Sequence, residues 1–362
     1  MKFLTLQNIK KDFKLRDGSI QTILHDINLD IKEGECFTII GPNGSGKSTL
    51  LRLIDLLEPC TEGKIFFKEK EILNLKKKEQ IIIRRELCFV RQKPVVLNTS
   101  VYRNIAYGLK IRGLSKEEID QKVNRIIDKI GLNGLKNKNA RSLSGGEMQR
   151  VAIAMNFVLD SELYLLDEVS ANLDPKNVIL LESFINDLRK EKKTIIMSTH
   201  DRMEAIKYSD RIAVLNNGTI TQIGSVNEVF TSPKDEYTAL FIGYENIFKG
   251  IAKIDKVSEL TKVKIDNIII NASIQAEGNV KICIHPESIG ISKNIDSQTS
   301  YQNLIKGKIK KIRDLGNTCH IIVKCLSINF LVTITKLSMK NLDLKHESEV
   351  FIRFKATDII IM

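Results

Sequence analysis

Apolar and polar positions alternate over residues 3–40, with apolar groups at Phe3, Leu4, Leu6 and Ile9 and again at Ile23, Leu24, Ile27, Leu29 and Ile31. This patterning predicts several β-strands, with Asp17-Gly18 supplying a turn between them. The run Cys36-Phe37-Thr38-Ile39-Ile40 is apolar enough for a buried strand. Leu50, Leu51, Leu53, Ile54, Leu56 and Leu57 follow at a spacing that suits a helix buried on most sides. From there to residue 140 the pattern is more helical. Ser115 and Glu118 form a capping box, after which Ile119, Val123, Ile126, Ile127 and Ile130 share one helical face. That stripe lasts too few turns for a coiled coil. Residues 162–166 and 194–198 read as buried strands separated by a helix, which implies a parallel sheet with helices on its faces. Asn217-Gly218 reads as a tight hairpin turn.

The pattern changes near residue 243. Short β-type runs dominate from Tyr244 to Met362 and helical stripes are scarce. Two domains are therefore expected, residues 1–242 and 243–362. Asn246-Ile247-Phe248-Lys249-Gly250 recurs as Asn303-Leu304-Ile305-Lys306-Gly307, an internal echo that fits a β module.

A chain of 362 residues is long enough for two domains, and 43% hydrophobic with 28% charged residues is ordinary globular composition. No apolar run approaches the ~20 residues of a membrane-spanning helix. The N-terminus turns polar too soon for a signal peptide. Cys36, Cys60, Cys88, Cys283, Cys319 and Cys325 are scattered without a Cys-x-x-Cys pair, as in a reduced, cytosolic compartment. A formal charge of +12 favours anionic partners, although a Lys/Ile/Asn-rich composition accounts for much of it.

Gly41-Pro42-Asn43-Gly44-Ser45-Gly46-Lys47-Ser48-Thr49 sits between the buried strand and its helix, with the glycines, Lys47 and Ser48 in P-loop register. Glycines let backbone N–H groups converge on phosphate oxygens, and a helix N-terminus adds its positive end. Lys47 suits the outer phosphates, and the Ser48 hydroxyl suits a magnesium ion.

Three further segments carry chemistry. Leu143-Ser144-Gly145-Gly146-Glu147-Met148-Gln149-Arg150 opens a helix with another anion site. Leu163-Tyr164-Leu165-Leu166-Asp167-Glu168 ends a buried strand in two carboxylates, one for a magnesium ion and one for an attacking water. Ser198-Thr199-His200-Asp201 follows another strand and offers His200 to a terminal phosphate.

In this order the segments resemble the nucleotide-binding subunit of ABC transporters over about residues 1–240. Leu143 to Arg150 resembles that family's signature, Gln92 its Q-loop glutamine, and Ser170-Ala171-Asn172-Leu173-Asp174 its D-loop. The resemblance implies an α/β P-loop cassette with a RecA-like core, an antiparallel β subdomain and a helical subdomain, followed by an OB-like β-barrel. It implies ATP and Mg²⁺ as cofactors. Gly41 to Thr49 would bind the phosphates, Phe13 would stack on adenine, and Ser48, Gln92 and Asp167 would surround the metal. Glu168 would orient or deprotonate water and His200 would contact the γ-phosphate. Ser144, Gly145, Gly146 and Asp174 would complete the nucleotide site, with Ser144 and Gly146 reaching it from a second subunit. Val169 and Ser170 stand where Pro and Thr are more usual, and Arg91 where an aromatic is common.

Within the family, the stretch from Gln92-Lys93-Pro94 to Leu109 resembles importer ATPases, especially those for tungstate and molybdate, and is the region such subunits present to a permease. In the tail, Ile284 to Ile289 resembles the Arg-Pro-Glu segment of importer regulatory domains, with His285 in the arginine's place. Thr333 to Thr357 resembles a molybdate/tungstate-binding Mop-type (TOBE) domain. Ser300, Lys355 and Thr357 are the candidate oxyanion ligands, while Gln302 for Arg and Glu347 for a turn glycine weaken that case. The expected partners are a second copy of the chain, integral-membrane permease subunits, an extracytoplasmic solute-binding protein indirectly, and a regulatory oxyanion, with no nucleic acid. The expected place is the cytoplasmic face of the membrane. Importers of sulfate, iron, polyamines or sugars are alternatives, and a nucleic-acid-associated ATPase is an alternative of a different class.

Overall fold

A computed structural model describes residues 2–92, 95–171, 173–294 and 300–362. The chain divides into two compact units, Met1–Val226 and Asn227–Met362. The division falls ahead of the 242/243 junction expected from the sequence. The helical pattern up to residue 242 continues that of the first unit, but its contacts lie with the second: Lys281 pairs with Glu236 at 2.6 Å, and the Tyr244 hydroxyl donates to Phe230 O.

Among the described residues the first unit holds two sheets. Strands Lys2–Lys14 and Ile20–Lys32 form a long antiparallel hairpin, from the Lys14–Ile20 pair at its tip to Lys2–Lys32. Asp17-Gly18 lies in its turn, with Asp17 accepting from Ser19 N and Oγ. Glu62–Phe67 and Lys70–Glu71 extend this sheet. These two strands fall in the stretch expected to be mostly helical. Only Ile65 and Phe67 of Glu62–Phe67 are buried, too short an alternation to register against the helix patterns around it.

The second sheet has the strand order Thr219–Ser225, Arg211–Asn216, Cys36–Ile40, Thr194–Thr199, Leu163–Asp167, Leu87–Val90. All neighbours run parallel except the edge hairpin Arg211–Asn216/Thr219–Ser225, which turns at Asn217-Gly218 as expected. Parallel order puts the C-terminal ends of Cys36–Ile40, Thr194–Thr199 and Leu163–Asp167 side by side, where ligands of such sheets bind. Ile40 lies opposite Thr199, and Asp167 opposite Ser198.

Helices Val101–Ile111, Lys116–Lys129 and Gly145–Phe157 build a separate core from Val101, Ile105, Ile119, Val123, Ile127, Val151 and Ala154, among others. The Ser115–Glu118 capping box forms as expected, Ser115 N donating to Glu118 Oε2 at 2.8 Å and Ser115 Oγ accepting from Glu118 N.

The second unit contains two five-stranded antiparallel sheets around one core. In the first, Asn246–Ile254 pairs with Thr261–Ile265 and Gly278–Ile284, and Ile268–Ala272 adds beside Thr261–Ile265. In the second, Asn303–Asp314 pairs with Thr318–Cys325 and Glu349–Phe354, and Ile328–Thr335 adds beside Thr318–Cys325. The connectivity is the same twice. The fifth strands are exchanged: Ile359–Ile361 joins Gly278–Ile284, and Gly290–Ser292 joins Glu349–Phe354.

The pentapeptide echo marks this repeat. Asn246 is buried and donates to Leu331 O at 2.8 Å while accepting from Leu331 N at 2.7 Å, across to the other sheet. Asn303 is buried too and reaches back, donating to Asn271 O at 2.9 Å and accepting from Asn271 N at 2.7 Å. Gly250 and Gly307 hold matching places, since a Cβ would meet Val263 Cγ1 at 2.7 Å in one and Cys325 Sγ at 2.6 Å in the other.

Candidate functional site

The strand Cys36–Ile40 runs into the P-loop, and the helix Lys47–Ile54 leaves it. The edge hairpin backs the loop closely. A Cβ on Gly41 would stand 2.1 Å from Leu215 O, and Gly218 N donates to Ser45 O at 3.0 Å. Gly46 takes φ +107° and begins the helix with no side-chain cap. The first-turn N–H groups therefore have no intrahelical acceptor and point at the place an anion would occupy. Asn43 and Gly44 are exposed on the crest, Ser45 is buried, and Pro42, Ser48 and Thr49 are half-buried. The Lys47 side chain is only 3% exposed, with Nζ donating to Gly41 O and Pro42 O at 3.0 Å each.

The two carboxylates arrive from Leu163–Asp167, one strand beyond the intervening Thr194–Thr199. Oδ1 of Asp167 accepts from Ser48 Oγ at 2.8 Å and from Ser198 Oγ at 2.7 Å. Glu168 adopts φ +47°, sparsely populated for a residue with a Cβ, and its N–H donates to Ser198 O at 3.1 Å. The turn swings its carboxylate over the P-loop. Oε1 lies 3.1 Å from Lys47 Nζ, and Oε2 lies 3.5 Å from Gln92 Nε2 and 3.7 Å from His200 Nδ1. Lys47, Ser48, Gln92, Asp167, Glu168 and His200 thus lie together. At the far end of the same helix Asp55 is buried, and that burial pushes its carboxyl up to about 7, against the pull of Arg84 and Arg91.

Phe13 comes to this cluster from the other sheet, opposite Gln21 in the long hairpin. Phe13, Gln21, Gly44, Lys47, Gln92 and Glu168 line one cleft of about 660 Å³.

Ser144, Gly145 and Gly146 do not line this cleft. Ser144 caps the helix Gly145–Phe157 through a box with Glu147, and Ser144 and Gly145 are exposed. Asp174 lies with them. Its Oδ1 accepts from Asn177 N at 2.9 Å, and a Cβ on Gly146 would meet its Oδ2 at 2.9 Å. Asn172 of the same segment, and Lys93 and Pro94 after Gln92, lie outside the described residues.

Three further residues, none of them among the expected ligands or catalytic groups, hold this arrangement. Ser198 steadies Asp167, and its place at a strand end beside the acid was the available signal. Asn177 is buried and donates to Gly146 O, Gln149 Oε1 and Asp174 Oδ2, tying the two segments together. Gly218 was legible as a turn residue but not as a support of the P-loop.

The oxyanion candidates are less gathered. Ser300, Lys355 and Thr357 are all exposed. Among the described residues no hydrogen bond or ion pair joins any two of them. Between Lys355 and Thr357, the N–H of Ala356 donates to Gln302 Oε1 at 3.0 Å, so the residue in the place of an arginine closes the turn.

The ABC transporter family pattern matches residues 24–171, and the TOBE domain pattern matches residues 299–361. The Molybdate/tungstate import ATP-binding protein WtpC of Pyrococcus abyssi is 36% identical over 98% of this chain and 99% of its own length. The Spermidine/putrescine import ATP-binding protein PotA of Clostridioides difficile is 36% identical over 80% of each chain. A solved dimeric cassette, MJ0796 in a post-hydrolysis state bound to ADP and Pi, is 30% identical with a TM-score of 0.57, covering 62% of this chain and 98% of that one. With both family patterns on one chain and near full-length identity to such relatives, this chain belongs to the ATP-binding subunits of ABC transporters, in the group that carries a TOBE domain.

Proposed function

We propose that this ATPase energises import of an oxyanion, tungstate or molybdate, through a separate membrane permease. The observation that carries the ion is the near full-length relation to the Pyrococcus import protein, which extends through the second unit. Polyamine import is the second reading, favoured by the Clostridioides relative over a shorter span. Uptake of labelled tungstate, molybdate and spermidine by vesicles holding this chain and its permease tests both. ATP-dependent uptake of spermidine alone would sink the first.

The chain's own groups divide the catalytic work. The uncapped helix start and the half-buried hydroxyls of Ser48 and Thr49 receive phosphate oxygens, and Lys47 adds the cation. Ser48, Asp167 and Gln92 form a hard oxygen set of hydroxyl, carboxylate and amide, which fits Mg²⁺. When bound, that ion neutralises charge on the terminal phosphates. Glu168 orients water and takes its proton, with Gln92 and His200 at its other oxygen. Phe13 offers a flat surface to the adenine.

The exposed Ser144 and Gly145 support a homodimer in which the signature of one copy faces the P-loop of the other. Between Gln92 and Ile111, Val95, Tyr107 and Ile111 are each more than half exposed beside an apolar recess of about 340 Å³. That surface supports permease docking. Among the described residues no helix is long and apolar enough to cross a membrane. We place the dimer on the cytoplasmic face, fed indirectly by an extracytoplasmic solute-binding protein and needing no nucleic acid. Ser300, Lys355 and Thr357 stand as a regulatory oxyanion site in the second unit. Titrating tungstate, molybdate and sulfate into the full chain checks it, and absence of saturable binding removes it.

A further inference from the structure

Lys11 is a buried lysine, 5% exposed, one strand repeat before Phe13 and on the same face of the sheet. Lysine is almost never buried unless its ammonium is partnered. Here the partners are Pro59 O, accepting at 2.7 Å, Glu58 Oε2 at 3.7 Å, and the Phe13 ring, whose centroid lies 4.5 Å from Nζ. One carbonyl at hydrogen-bond distance, one carboxylate at ion-pair distance and one aromatic face surround the ammonium. Phe13 lines the nucleotide cleft and Lys11 does not.

We propose that Lys11 is a positioning residue for the nucleobase, acting through the Phe13 ring. The cation occupies one face of the ring and leaves the other to the base. It fixes the ring's tilt and withdraws electron density from it, which favours stacking on an electron-rich purine. The same ammonium is anchored to Glu58 and Pro59, just beyond the helix that starts the phosphate cradle. Further bonds lace this link to the strand: Thr61 N donates to Lys10 O at 3.0 Å, and Asp12 N to Thr61 Oγ1 at 2.8 Å. Lys11 thereby sets the spacing between the base platform and the P-loop helix. The cleft is matched to a nucleoside triphosphate as one piece, not to its phosphates alone.

The inference rests on the reading that Phe13 stacks on the base, and the test separates the two. Affinities of the full chain for ATP and for inorganic tripolyphosphate are measured by calorimetry in Lys11→Met, Lys11→Gln, Lys11→Arg and Phe13→Leu. Lys11→Gln keeps a donor for Pro59 O without the charge, so it remains informative if Lys11→Met does not fold. Loss of a desolvated cation–π contact is expected to weaken ATP about tenfold in Lys11→Met and Lys11→Gln. Tripolyphosphate affinity is expected to hold, and Lys11→Arg to retain ATP affinity. Adding Phe13→Leu to Lys11→Gln is expected to cost nothing beyond the larger single effect. If Phe13→Leu leaves ATP affinity intact, the stacking reading itself is wrong. If Phe13→Leu weakens ATP while Lys11→Gln does not, or Lys11→Gln weakens tripolyphosphate equally, the positioning role is overturned. The chain has no tryptophan, so Phe13→Trp adds a single reporter. Its fluorescence should respond to ATP and not to tripolyphosphate, and an equal response to both overturns the role.

Discussion

Nζ of Lys47 and Oε1 of Glu168 stand 3.1 Å apart, both side chains largely withdrawn from water. The lysine proposed for phosphate and the glutamate proposed for water are therefore each other's counter-ion. On the proposed reading, phosphates entering the cradle would compete with Glu168 for Lys47 and so free the carboxylate to take up a water. Lys47→Ala removes the cation from both arrangements and leaves Glu168 without its partner. Nucleotide affinity should be abolished, as read by calorimetry with ATP.

Glu168→Gln keeps the side chain's shape but removes its capacity to take a proton. ATP binding should persist while phosphate release falls by ~10²-fold or more, the scale of general-base work. Unchanged turnover would remove Glu168 from that role.

Gly218→Ala tests the support behind the P-loop. The position has φ +76°, and a Cβ would lie 2.2 Å from Ile23 O, so turn and neighbour must both shift. A loss of roughly 2–4 kcal/mol is expected from strain and overpacking. It should appear as a lower unfolding midpoint together with weaker ATP binding, because Gly218 N also holds Ser45 O.

Asp55 predicts a pH dependence. Its carboxyl is raised by burial from an ordinary 3.8 to about 7, so the folded state binds its proton more tightly than the unfolded state does. Between about pH 4 and pH 7 the folded state thus holds more protons, and stability from this group falls as pH rises through that window. Its site at the carboxyl end of the P-loop helix adds to the cost of the charged form. Asp55→Asn should flatten the decline, with thermal midpoints at pH 5 and pH 8 closer together than in the parent chain. A steeper decline would count against this account.

Asn303→Ala should cost about 1–2 kcal/mol by leaving the half-buried N–H and C=O of Asn271 without their side-chain partner, and Asn246→Ala should do the same at Leu331. Urea titration followed on the second unit is the measurement. Equal effects would reflect the equivalence of the two halves.

Much of the nucleotide cluster was readable in the chain because each of its residues belongs to a contiguous motif at a strand end. Gly41–Thr49, Asp167-Glu168 and His200 are such cases, and parallel strand order brings them together. What sequence did not disclose depends on contacts between distant segments. Ser198 matters because it is in register with Asp167, and Asn177 because a helix cap happens to face Gly146. The short strand Glu62–Phe67 was missed because its alternation spans too few buried positions. The division after Val226 lies ahead of the expected 242/243 junction because packing, not composition, decides to which body the short helices belong. In the tail, the pentapeptide echo was visible as letters only. Its meaning needed the cross-sheet bonds of Asn246 and Asn303.

The exchanged fifth strands also constrain how the second unit closes. The first sheet of the second unit has four of its strands by Ile284, yet its fifth, Ile359–Ile361, follows only after the strands of the other sheet. Neither sheet can be completed without sequence from the other half. Loss of Ile359–Ile361 alone would leave Gly278–Ile284 at an unpaired strand edge, a ready target for aggregation.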